Sequence, residues 1–304
     1  MSRLRLPRGP LRTLLLLLPL VLLAVCGCVY IARSLPQNAN HVLDPNAYFT
    51  GPGLALARAV DHLDTRRIDQ LVREQGLDPN TVFDRSGRPL LAWPVLTANP
   101  KGLKLLLDAG ASPNVRGQAG TAAAFESALV PAAERSDPDY LTELLMRGGD
   151  PNTRNAEGQP LLYVAFKHGR WTNVQHLILS GANQDTVLDG ADHYDTVLSW
   201  YARSGRFDRL YWLLEHGGDP TLRMHDLEGA RLLGTAQSND GRMPIVEDAF
   251  YRDVPEAMRD WQRACQAWLL DKGIGRPPMP PTLRPRQRDT LPSDQEAGPG
   301  SIAL

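Results

Sequence analysis

Along most of the chain, apolar residues recur at helical spacing and then stop at a glycine. The stretches IDQLVREQG, LKLLLDAG, LTELLMRG, VQHLILSG, LYWLLEHG and CQAWLLDKG place aliphatic residues three and four positions apart, which is one side of a helix. They end at Gly76, Gly110, Gly148, Gly181, Gly217 and Gly273. A glycine just past the last turn permits the left-handed backbone that closes a helix. The proline that follows two or three residues later prevents the helix from resuming. Upstream, GRPLLAWPVL (87–96), GQPLLYVAFKHG (158–169) and YDTVLSWYARSG (194–205) each begin a short helix. From Leu91 to Gly110, Leu162 to Gly181 and Leu198 to Gly217 the interval is 19 residues every time. The pattern therefore predicts pairs of short helices, each pair followed by an extended loop.

Spacings of 34, 38, 33, 36 and 56 between the helix-ending glycines make this a repeat. The endings GASPN, GGDPN, GANQD and GGDPT, the tetrapeptides PLLA, PLLY and TVLS, and the turn glycines Gly169 and Gly205 together resemble the ankyrin repeat. The histidine of that family's tetrapeptide is absent throughout, so the repeats are divergent. The resemblance covers 54–275 and implies an all-α ankyrin-repeat solenoid of five to six helix-turn-helix repeats. One helix pair cannot bury its apolar side alone, and its neighbours supply the missing surface. The longer spacings imply inserted residues near 131–139 and 185–195, and about 20 extra residues near 238–257 in the last repeat. Terminal repeats are commonly atypical because they cap the stack.

The N-terminus has a different pattern. Residues 1–12 carry four arginines, and LLLLLPLVLLAVCGCVYIA (14–32) follows without a charge. As a helix this run spans about 28 Å, close to the hydrocarbon thickness of roughly 30 Å. Arginines before it and a single one, Arg33, soon after it orient the N-terminus to the cytoplasm and the body across the membrane. Three readings stay open for 13–32: an uncleaved transmembrane anchor, a lipoprotein signal with Cys28 lipidated, or an ordinary cleaved signal. Gly27 suits a lipobox; Cys26 and the apolar Val-Tyr-Ile-Ala that follows do not. All three export the body. Residues 33–53 read as a linker. Residues 276–304 are rich in proline and charge and poor in core formers, which predicts a disordered tail.

Composition narrows the function classes. Residues 41–275 hold 24 basic and 31 acidic side chains, no footprint for nucleic acid. Arginine outnumbers lysine 29 to 4, a bias that accompanies GC-rich bacterial genomes. No catalytic or cofactor motif is present: no Gly-x-Ser-x-Gly, His-Glu-x-x-His, Cys-x-x-Cys, P-loop or Gly-x-Gly-x-x-Gly. The acidic DGADHYD holds Asp189, Asp192, His193 and Asp195, but its spacing is not that of an EF-hand, and a polar finger tip accounts for it. His168 and His176 read as surface residues. Cys265 reads as a buried small hydrophobe. Trp93 and Trp200, at equivalent first-helix positions, and Trp171 and Phe207, at equivalent second-helix positions, read as core; Tyr211 projects from the opposite side of its helix. The expectation is a chain that is not an enzyme and takes no cofactor, metal or small-molecule substrate.

The ankyrin resemblance implies protein binding through finger tips and first helices. Carried onto this sequence, the partner-binding residues are Arg85, Arg88, Glu157, Gln159, Asp192, His193, Asp195 and Glu228 on fingers, with Lys167, His168 and Arg203 on helices. An exported, membrane-held ankyrin stack is similar to the immunity proteins that neutralise type VI secretion toxins, lipase-type effectors among them. That resemblance implies a toxin partner and a body in the periplasm. The alternative is an envelope scaffold or stress-tolerance protein with other protein partners.

Overall fold

The computed structural model describes residues 43–124, 126–186, 196–221 and 243–279. The chain divides into two compact units after Ala47, and the first contributes only residues 43–47 to the described part. The apolar segment 14–32, with Cys28, lies outside the described residues, as do 280–304. Among the described residues no helix is long and apolar enough to cross a membrane.

From Tyr48 onward the described residues form six helix pairs. They are α1 (Gly51–Asp61) with α2 (Thr65–Asp69), α3 (Ala92–Leu96) with α4 (Pro100–Asp108), and α5 (Leu129–Glu134) with α6 (Asp139–Met146). Next come α7 (Leu161–Lys167) with α8 (Trp171–Leu179), α9 (Val197–Arg203) with α10 (Phe207–Glu215), and α11 (Pro244–Tyr251) with α12 (Glu256–Asp271). Each first helix packs on the next first helix, from α1 to α11. In the second layer α4, α6 and α8 pack in succession and α10 packs on α12. The core lies between the layers. Leu56, Leu90, Leu103, Leu106, Leu129, Leu141, Leu144, Leu161, Leu177, Leu198, Leu210 and Leu213 are fully or almost fully buried there. This is the all-α, two-helix repeat that the ankyrin resemblance implies. Isolated antiparallel bridges, Phe83 to Pro89 and Arg154 to Pro160, close two of the fingers between repeats.

The six helix-ending glycines all adopt left-handed backbone, with φ from +71° to +94°. Gly169 and Gly205 do the same in the turn within a pair (φ +70° and +71°), whereas Ala98 holds that turn in the second pair at φ +57°. An L-residue there is strained by about 1 kcal/mol. Ala98→Gly is therefore expected to raise stability by about 0.5–1 kcal/mol, read as a higher urea midpoint at unchanged slope.

Counting from the glycines places the last insertion near 238–257. Within that span Pro244–Tyr251 is α11, the first helix of the sixth pair, with proline in its first turn and Ile245, Val246 and Ala249 buried. α12 spans 16 residues where α4, α8 and α10 span nine each, so part of the added length lies in the second helix of that repeat rather than in one insertion.

A ladder of side-chain amides links successive repeats. Asn80 Nδ2 donates to Gly110 O (3.0 Å), and its Oδ1 accepts from Ser112 N (2.7 Å). Asn114 does the same with Gly148 O and Asp150 N (2.8 Å each), and Asn152 with Gly181 O (3.2 Å) and Asn183 N (2.8 Å). The final Asn of the repeated ending thus satisfies a terminal carbonyl of the next helix pair. Asp185 occupies the corresponding position in the fourth ending. It accepts from Asp219 N (3.1 Å), but a carboxylate cannot donate, and Gln184 Nε2 bonds His216 O (2.7 Å) instead. Burial, the largest influence, raises the Asp185 pKa, so its charged form is disfavoured in the fold. A carboxyl with a raised folded pKa stabilises most when protonated and loses that contribution as pH rises through its folded pKa. Asp185→Asn should accordingly add about 1 kcal/mol at neutral pH, and the gain should shrink as pH falls through the carboxylate range. Thermal melts of both proteins across that range would measure it.

Candidate partner-binding face

Among the described residues, α7 and α9 turn their apolar side inward and leave one flank uncovered. In α7, Leu161, Leu162, Val164 and Ala165 are buried, while Tyr163 and Phe166 are half-buried and Lys167 is exposed. In α9, Val197, Leu198, Tyr201 and Ala202 are buried, Trp200 is 38% exposed and Arg203 is half-buried. The rings form a shelf across the two repeats. Tyr163 stacks on Phe166 at 6.1 Å, and Phe166 lies 6.1 Å from Trp200 and edge-on to Tyr201 at 5.1 Å. The Arg203 guanidinium sits over Trp200, 5.6 Å from the ring centre, a cation–π arrangement. His168 caps the end of α7, its Nε2 3.8 Å from Glu134 of the preceding first helix.

This arrangement corrects the reading of the tryptophans. Trp93 is core, 2% exposed, because the rings of Tyr48 (5.2 Å) and Phe49 (5.4 Å) cover it and its Nε1 donates to Asp61 (2.8 Å). Trp200 has no corresponding cover among the described residues and faces outward. Phe207 is fully buried, but Trp171 is only half-buried, edge-on to Tyr201 and Trp212 at 5.5 Å each. Tyr211 is half-buried, 5.9 Å from Trp261. His176 is half-buried too and bonds Thr142 Oγ1 (2.7 Å).

The expected site residues are distributed unevenly. Lys167, His168 and Arg203 surround the shelf. Arg85 is exposed on the finger between α2 and α3, and Glu157 on the one between α6 and α7. Arg88 is half-buried and clamped to Glu126 of the next loop at 2.7 Å; that bond chiefly raises its pKa, so it stays charged. Gln159 is half-buried and accepts from Asn155 (3.1 Å), which stiffens its finger. Asp192, His193, Asp195, Glu228 and the lipidation candidate Cys28 lie outside the described residues. Tyr163 and Phe166 escaped the sequence reading. Their spacing of three on a first helix, beside an exposed lysine, is the signal that marks them.

Cys265 is fully buried, and burial pushes its thiol up to about 12, which leaves it a packing group. Among the described residues no group of three or more histidine, cysteine, aspartate or glutamate side chains is placed to hold a metal ion.

The chain is similar to protein PhlB of Serratia liquefaciens, 36% identical over 182 residues that span 59% of this chain and 73% of that one. Among solved structures it is similar to the ankyrin repeat domain of Bcl-3, described as a unique member of the IkappaB protein family. That match has 24% identity and a TM-score of 0.48, covering 64% of this chain and 83% of that one. It is likewise similar to the ankyrin repeat protein EF0377, with 23% identity and a TM-score of 0.47, covering 61% and 94%. No family model matches the chain.

Proposed function

The chain belongs to the family of protein PhlB, and on that premise we propose that it is a non-enzymatic protein-binding module on the periplasmic face of a bacterial membrane. Its partner is a cognate secreted toxin, such as a lipase-type effector, which it binds and occludes. The shelf of Tyr163, Phe166 and Trp200 carries this reading, since half-exposed aromatics beside an arginine are the usual anchors of a protein interface. Residues 14–32 supply the membrane address, through a transmembrane helix or a lipid on Cys28. Holding the inhibitor at the membrane raises its effective concentration next to a lipid-directed toxin. Bound across the first helices, the toxin loses access to its substrate.

Deleting the gene in a strain surrounded by toxin-armed siblings tests this. Killing of the mutant, rescued by the full chain and not by a chain lacking residues 1–32, is the expected result. Unchanged survival, with an envelope-stress phenotype in its place, would favour the scaffold alternative.

A further inference from the structure

No further helix pair follows α12 among the described residues, and the last ending departs from the others in one respect. After Gly273 the chain turns as it does in the inner repeats. Ile274 N donates to Leu269 O (2.9 Å), as Ala111, Gly149, Ala182 and Gly218 do to the matching leucines of their own helices. Four residues after the glycine, the inner repeats carry Asn80, Asn114 and Asn152, whose amides reach forward to the next pair. Pro277 stands at that position in the last repeat and has no side-chain amide to extend the ladder. Its carbonyl instead accepts from the Tyr251 hydroxyl of α11, and the Arg276 guanidinium lies over the Tyr251 ring, 4.8 Å from its centre. We infer that Arg276–Met279 is a strap that folds back onto α11 and caps the stack in place of a seventh helix pair.

The place of Tyr251 in its repeat says where the strap lands. The buried pairs Leu161-Leu162, Val197-Leu198 and Ile245-Val246 open α7, α9 and α11, and Lys167, Arg203 and Tyr251 each stand five residues after the pair. The strap therefore meets the first-helix layer at the end that holds Lys167 and Arg203 in the two repeats before. There α12 already satisfies part of the α11 terminus: Gln266 Nε2 donates to Ala249 O and Gln262 Nε2 to Arg252 O, at 2.8 Å each. By leaving the end of α12 and returning to Tyr251, the strap ties the two helices of the last pair together a second time. Pro277 and Pro278 bring no N–H that needs a partner, and proline holds such a segment extended at low entropic cost. A terminal repeat has a neighbour on one side only, so its helices open first unless something else holds them. Here α11 is also the helix against which α9, with Trp200, is packed.

Hydrogen exchange of the purified full chain, compared with shortened chains, reads the strap helix by helix. A chain ending at Gly275 should exchange the amides of α11 at least about tenfold faster, with α5 to α8 unchanged. A chain ending at Met279 should match the full chain. Tyr251→Phe keeps the ring and removes one hydrogen bond, and it should speed exchange in α11 by about fivefold. Failure of the chain ending at Gly275 to fold, beside a folded chain ending at Met279, would support the strap equally. Protection of α11 that survives the loss of 276–279, or Tyr251→Phe exchanging like the unaltered chain, would overturn the inference. So would a chain ending at Met279 that behaves like the one ending at Gly275, because the cap would then lie further along the chain.

Discussion

Trp200→Ala is expected to weaken partner binding by about 2–4 kcal/mol, some thirty- to a thousandfold in Kd, while the stack stays folded. The ring is 38% exposed, contacts Phe166 at 6.1 Å and lies under Arg203, so truncation empties the centre of the shelf without opening the core. Trp93→Ala provides the contrast. That ring occupies the equivalent repeat position but is buried under Tyr48 and Phe49 and bonded to Asp61. Its loss should cost about 3–5 kcal/mol of stability and reduce binding only as far as it unfolds the protein. Titration calorimetry with the purified partner, beside denaturant melts, separates the two. Equal affinity of Trp200→Ala and wild type would remove the shelf from the interface.

Asn173→Ala should produce the other large effect, a loss of about 3 kcal/mol in stability. Asn173 lies in α8 and is 1% exposed. Its Nδ2 is within hydrogen-bond reach of three carbonyls at the end of α5: Ala133 and Arg135 at 3.0 Å, and Ala132 at 3.3 Å. Arg170 donates to the fourth, Glu134 O, at 2.7 Å. The last carbonyls of a helix have no partner within it, and α5 ends without a glycine, so its cap comes from the next repeat. Other junctions use the same device: Asn99 donates to Val60 O (3.2 Å) and Arg135 to Val95 O (2.8 Å). Asn173→Asp should be worse than alanine, since it sets a negative charge against the negative end of the helix dipole. Urea unfolding of the three proteins would show the order asparagine, alanine, aspartate in falling midpoint.

These two residues show where the sequence was legible. Helix ends were readable because a left-handed position admits glycine almost alone, and all six glycines named from the pattern adopt that backbone. The layered core followed from spacing. Contacts between repeats were not readable. Eight residues before the helix-ending glycine stand Gly102, Tyr140, Asn173 and Arg209 in successive repeats. Gly102 abuts Val60 and Asn173 bonds the end of α5, each on the first helix of the preceding pair, whereas Arg209 lies over Trp171 and Tyr201 and Tyr140 lies under Arg135. Trp93 and Trp200 have one residue type at one repeat position, yet their burial is decided by Tyr48 and Phe49, distant in the chain. Arg88 looked like a finger contact; its partner Glu126 is 38 residues away. Lys167, His168 and Arg203 could be named from the sequence as first-helix positions; the cluster of Tyr163, Phe166 and Trp200 beside them appears only once the helices are stacked.

If a partner is held on the first-helix side, the exposed residues of that layer lie within reach of it. Photo-crosslinking in living cells tests this most directly, with a light-activated residue at position 167 of the first-helix layer in one strain. A second strain carries it at position 146 of the second layer, where Met146 is 78% exposed. One discrete adduct is expected from position 167, lost with Trp200→Ala, and none from position 146. An adduct from position 146 alone would contradict it.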